Sequence, residues 1–134
     1  MAGAAPSAKP APFLRHIDLL DRGVLLAESA LSWGMLYLEW ADHQFEHDGL
    51  DREGYDLTPS EMFHRQCYFN AWYDKVAPFA PYVGADHILW STNLPQANST
   101  WPRTQETITS CFEGVAPEVR EQVLWKNASS LYHI

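Results

Sequence analysis

The sequence predicts an α/β fold built on parallel strands. Three observations lead there: a short, wholly apolar run at 24–27 and a buried-strand run, HILW, at 87–90, an aromatic-rich run at 67–73, and segments of helical spacing between and after them. Strands that alternate with helices are joined by right-handed crossovers, which bring the strands parallel. The expected strands are 24–28, 67–73 and 87–91.

The elements follow in order. Residues 1–12, MAGAAPSAKPAP, are Ala/Pro-rich without the apolar stretch of a signal peptide and read as a disordered lead-in; 13–134 form one domain. FLRHIDLLD (13–21) has helical spacing and Gly23 as its stop. VLLA (24–27) reads as a strand covered on both faces. Ser32 is a candidate N-cap for WGMLYLEWADHQFEH, with Trp33 and Trp40, like Trp72, assigned to the core. A polar loop spans 48–57. Thr58 and Glu61 then have capping-box spacing around Pro59. A brief helix at 74–82 stops at Gly84, another covers 104–112, and Pro117 opens the last.

Composition narrows the partners. The chain is 46% hydrophobic with six Trp, so it buries a substantial core. Its net charge of −8, with nine Lys and Arg, disfavours nucleic acid and anionic membrane. No apolar run approaches the roughly 20 residues of a membrane span. Cys67 and Cys111 lie in apolar contexts, which suits reduced thiols in a cytoplasmic protein. Asn98-Ser99-Thr100 and Asn127-Ala128-Ser129 match the glycosylation sequon, a match with little meaning outside a secretory route.

Functional groups of parallel α/β folds gather where strands end. That edge is expected to present Glu28 and Ser29, then Tyr73 and Asp74, then Ser91, Thr92 and Asn93. The segments LAESALSW, TPSEMFHRQCYF, GADHILWSTNLPQANSTWP and VLWKNASSLYHI, in this order, resemble the amidohydrolase-related branch of the metal-dependent hydrolases, which includes aromatic-acid decarboxylases. The resemblance covers about 23–134 and implies a (β/α)8 TIM barrel, of which these motifs form the last three strands with their helices. It further implies metal-assisted hydrolysis or decarboxylation of a small organic acid or amide, with a divalent metal such as zinc.

The sequence departs from the family pattern in three places. A complete barrel takes about 250 residues, and 134 are present. No His-x-His metal pair occurs. Where the family typically reads W-G-S-D-Y-P-H, this chain reads Trp90-Ser91-Thr92-Asn93-Leu94-Pro95-Gln96, with Asn93 at the metal-binding aspartate and Gln96 at the histidine. An amide is a neutral oxygen ligand that cannot serve as a base near neutral pH. Glu28 falls where decarboxylases of the branch carry a catalytic histidine.

Glu28 and Asn93 are therefore the candidate catalytic residues, with Asp74, Gln96 and Trp101 as candidate pocket residues and no confident metal ligand. Each has a plainer reading. Glu28 can cap the next helix or pair with an Arg, Asn93 suits a turn, Asp74 can cap the helix after it, and Trp101-Pro102 can anchor a loop. His43-Gln44-Phe45-Glu46-His47 matches the inverted zinc-protease pentad, with Glu118 or Glu121 as conceivable third ligands, but it sits where solvated residues are ordinary. His16, His64, His87 and His133 have no ligating pattern. The expectation is a truncated barrel, inactive in isolation, that takes a small-molecule substrate only when completed by an N-terminal half. The alternative is a non-catalytic half-barrel that self-associates or binds a ligand or partner through its open edge.

Overall fold

A computed structural model of the chain describes residues 23–50 and 55–134. The lead-in at 1–12, the helix expected at 13–21 and part of the 48–57 loop lie outside the described residues.

The order of elements is β1 (Val24–Leu26), α1 (Leu31–Asp48), α2 (Pro59–Gln66), β2 (Cys67–Ala71), α3 (Val76–Val83), β3 (Ile88–Trp90), α4 (Thr104–Cys111), α5 (Pro117–Glu121) and α6 (Asn127–Tyr132). A π turn over Gln122–Lys126 joins α5 to α6. The three strands form one parallel sheet in the order β1-β2-β3, with Val24 opposite Cys67 and Phe69 opposite Ile88. The predicted α/β alternation and parallel sheet are thus present. The strands are shorter than 24–28, 67–73 and 87–91, because Glu28, Tyr73 and Ser91 already belong to the loops that follow.

Cys67, Phe69 and Ala71 of β2 point into the core, where Phe69 meets Phe63 of α2 at a ring separation of 4.9 Å. Gly34 of α1 lies directly over Phe69: a Cβ there would stand 2.0 Å from the ring carbon Cζ. A residue without a side chain is what lets helix and sheet approach this closely. The C-terminus of α1 closes on Gly49 in the left-handed conformation (φ 66°), whose N–H reaches the carbonyls of Glu46 and Phe45.

The capping box forms as its spacing predicts: Thr58 Oγ1 accepts from the Glu61 N–H, and Glu61 Oε2 accepts from the Thr58 N–H. Other expectations need correction. β1 is only half-covered, with Leu25 37% exposed, because it is an outer strand of the sheet. Trp72 is buried, but Trp33 and Trp40 are exposed. Ser32 does not cap α1; the helix begins at Leu31 after Ala30, which has a positive φ.

The last helical segment packs against β3. Asn127 anchors it from a buried position, donating through Nδ2 to the carbonyls of Ala85 and Ile88, both at 2.7 Å. This sequon asparagine is a structural clamp. Cys67 and Cys111 are both free and buried, as their apolar contexts suggest.

Candidate active site

The C-terminal ends of β1, β2 and β3 lie on one edge of the sheet, since all three strands are parallel. Glu28 and Asn93 follow the two outer strands, with β2 between them. Two strand spacings separate β1 from β3 by about 10 Å at the sheet.

Glu28 is solvent-exposed and adopts a positive φ of 57°. Its neighbour Ser29 is turned inward, and Ser29 Oγ donates to the Leu26 carbonyl at 2.9 Å. That bond closes the strand end and leaves the Glu28 carboxylate facing solvent.

Asp74 is 6% exposed, and it does not cap the helix that follows it. Asp74 Oδ1 accepts from the backbone N–H of Leu31 at 2.9 Å, so it caps α1, the helix that precedes it in the chain. α3 begins after Lys75 without a side-chain cap. Asp74 Oδ2 is buried and has no hydrogen-bond partner among the described residues.

Asn93 is half-buried, also at φ 57°, a conformation that Asn tolerates better than most residues. Its Nδ2 donates to Asn98 Oδ1 at 2.7 Å. The loop around it is tied by its own bonds: Gln96 N–H to the Asn93 carbonyl, Thr100 N–H and Ser99 Oγ to the Thr92 carbonyl, and Trp101 N–H to Ser99 Oγ. Asn93 thus works as the turn residue of a self-bonded loop, with its amide turned to Asn98. Gln96 is exposed, and Leu94 and Trp101 project apolar surface from the same loop, Trp101 at 67% exposure.

One residue of this edge escaped the sequence reading. Asn70, half-buried, accepts at Oδ1 from Ser91 Oγ at 3.1 Å, bridging β2 to the end of β3. The signal was available: in CYFNA, period-two alternation puts Tyr68 and Asn70 on the face opposite Cys67, Phe69 and Ala71.

Among the described residues no group of three or more His, Cys, Asp or Glu could hold a metal ion. At this edge Asn93 Nδ2 turns to Asn98, Asp74 Oδ1 caps α1 and the Glu28 carboxylate faces solvent. This donor set does not fit a resident divalent metal. His43 and His47 of the protease-like pentad have ring centres 6.3 Å apart, and His47 Nδ1 lies 3.1 Å from its neighbour Asp48.

No family model matches the sequence, and no curated protein matches it. Solved structures do match. An amidohydrolase from Mycobacterium avium subsp. paratuberculosis superposes with a TM-score of 0.68 at 14% identity, over 81% of this chain and 27% of that one. The 5-carboxyvanillate decarboxylase LigW from Sphingomonas paucimobilis gives 0.68 at 18% identity, over 91% and 38%. IDCase from Metarhizium anisopliae gives 0.58 at 22%, over 83% and 34%. The fold matches part of each of these three structures. The resemblance carried by the four sequence motifs and the likeness of fold therefore agree, and the chain spans about a third of the length of these neighbours.

Proposed function

We propose that the chain is part of an amidohydrolase-type hydrolase or decarboxylase that acts on a small organic acid or amide. The observation that carries this reading is the fold shared with an amidohydrolase, a decarboxylase and IDCase, together with an exposed carboxylate, Glu28, at the strand edge. In this reading Glu28 accepts or returns a proton, because a solvent-facing carboxylate at a strand end can exchange protons with a bound substrate. Asn93 offers an amide that can orient a polar substrate group, and Trp101 and Leu94 form an apolar wall. Asp74 acts indirectly, by fixing the start of α1 beside the β1 loop. Tyr68, Asn70 and Ser91 supply the floor between the outer strands.

The chain alone is inactive in this proposal, because three strands provide one part of a pocket and the donors present do not assemble a metal site. Two free, buried thiols accord with a reducing compartment, and the cytoplasm is the location we assign. A second reading, a non-catalytic module that binds through its open edge, is favoured by one observation: among the described residues, β1 and β3 have no strand on their outer sides.

The test uses purified 1–134 with 5-carboxyvanillate as probe substrate and added zinc, following carbon dioxide release and bound metal by mass spectrometry. Substoichiometric metal and no turnover are expected. Zinc-dependent turnover that disappears in Glu28→Ala would overturn the proposed inactivity. Asn93→Asp should leave zinc affinity unchanged in the isolated chain, since a carboxylate there has no companion ligands. A tenfold or greater gain would show that the remaining ligands are already in place.

A further inference from the structure

The outermost face of α1 carries two histidines one turn apart. His43 and His47 stand at i and i+4, so both rings leave the same side of the helix. Successive residues turn by about 100°, which sets the pair roughly opposite Gly34, Leu38 and Phe45, residues that α1 buries. Both histidines are accordingly exposed, and their ring centres lie 6.3 Å apart. The His47 ring is also oriented, since its Nδ1 lies 3.1 Å from Asp48 Oδ1. An ionised carboxylate only accepts, so Nδ1 carries the proton and Nε2 keeps the lone pair that a metal takes. Glu39 and Glu46, both exposed, flank the pair with negative charge.

We propose that His43 and His47 form an open two-histidine site for a late divalent transition ion, with copper(II) preferred. Metal–nitrogen bonds of about 2 Å place the centres of two rings on one ion about 4.5–5 Å apart. Closing the pair from 6.3 Å takes a modest turn of the rings, and the His47 side chain is 70% exposed and free to make it. The number of ligands selects the ion. Zinc sites take three or four protein ligands, and among the described residues no group of three or more His, Cys, Asp or Glu could hold a metal. The zinc centre suggested by the pentad therefore lacks its third ligand there. Copper(II) heads the affinity order of the divalent ions for nitrogen ligands. Two imidazoles, with water in the remaining positions, therefore favour it over nickel(II) and zinc. The inference does not depend on the catalytic proposal, because the pair lies on a helix face and not at the strand ends.

Isothermal titration of tag-free 1–134 with copper(II), nickel(II) and zinc salts tests it, alongside His43→Asn and His47→Asn. Both positions are exposed, and retained circular dichroism and urea midpoints will show that the variants fold. A saturable copper site is expected, tighter than that for nickel or zinc. Either substitution should weaken it about tenfold or more, because the second ring acts at the high effective concentration of a neighbour on the same helix. Electron paramagnetic resonance should count two imidazole nitrogens on the bound copper. Copper binding that either variant retains in full would show an adventitious ion only and overturn the inference, as would the absence of saturable binding. Zinc bound as tightly as copper would also overturn it, since that affinity order calls for a third protein ligand.

Discussion

Asp74 illustrates how one side chain can organise a strand edge. α1 has no acidic residue in its first turn and no capping side chain at Ala30, so its first N–H groups lack a local acceptor. The Asp74 carboxylate supplies one from 43 residues further along the chain. Asp74→Ala is expected to cost about 1–2 kcal/mol, the usual cost of a lost N-cap, read from urea unfolding. Asp74→Asn keeps a carbonyl acceptor and should recover most of it. Equal losses in both would mean that the negative charge at the helix end matters more than the hydrogen bond. A second residue-scale effect lies at the opposite edge of the sheet. His64 packs edge-on against His87 with ring centres 5.6 Å apart, while His87 Nδ1 contacts the Cys67 carbonyl at 2.6 Å. Burial, then the charge of His87, lowers the His64 pKa, against the opposing pull of Asp86, the Tyr82 backbone and Asp42. The unfolded chain therefore binds the proton more readily than the folded one. His64 contributes stability that is complete above the unfolded value near 6.5 and is lost as pH falls through its lowered folded value. The difference in urea midpoint between wild type and His64→Gln should accordingly shrink or reverse between pH ~7.5 and ~5. A pH-independent difference would refute the assignment.

Among elements, α1 is the most constrained. Its Gly34 faces Phe69, which is flanked by Phe63 at 4.9 Å and Trp33 at 6.3 Å. Gly→Ala in an ordinary helix interior gains up to about 1 kcal/mol. Here the added methyl meets a ring with packed neighbours, so Gly34→Ala is expected to destabilise by about 2–3 kcal/mol. Phe69→Leu should relieve part of that loss in the double variant, a coupling that a double-mutant cycle measures. α1 also shows where sequence reading stops. Helical period and the Thr58–Glu61 capping box are local signals, and both elements formed where their residues indicated. Period alone does not say which of two apolar faces turns inward. The bulky face with Trp33 and Trp40 looked like the core, whereas the fold buries the slimmer one because Gly34 permits close approach to β2. Asp74 was unreadable for a related reason: its partner is distant in sequence.

At the scale of the whole molecule, the alternation of strands and helices was enough to bring Glu28, Asn93 and the end of β2 to one edge. The loops decided what stands there, since Asn93 bonds within its own loop and Asp74 turns to α1. The three strands and their helices nonetheless share one core, which includes both Cys67 of β2 and Cys111 of α4. That core can be probed through its thiols. Burial pushes the Cys67 pKa up to about 11, and burial likewise raises that of Cys111, with Lys75 opposing and Asp74 reinforcing the shift. The thiolate is the species that attacks a disulfide reagent, so neither thiol should react at mildly alkaline pH until the chain opens. If the sheet and its surrounding helices unfold as one unit, both thiols will label at a single rate with a common dependence on urea. Single-cysteine variants, Cys67→Ala and Cys111→Ala, separate the two signals. Faster labelling of Cys111 with a shallower urea slope would show that α4 and the Asn93 loop detach before the sheet does. The candidate pocket would then be the least stable part of the fold, and a stable pocket would require contacts that lie beyond these residues.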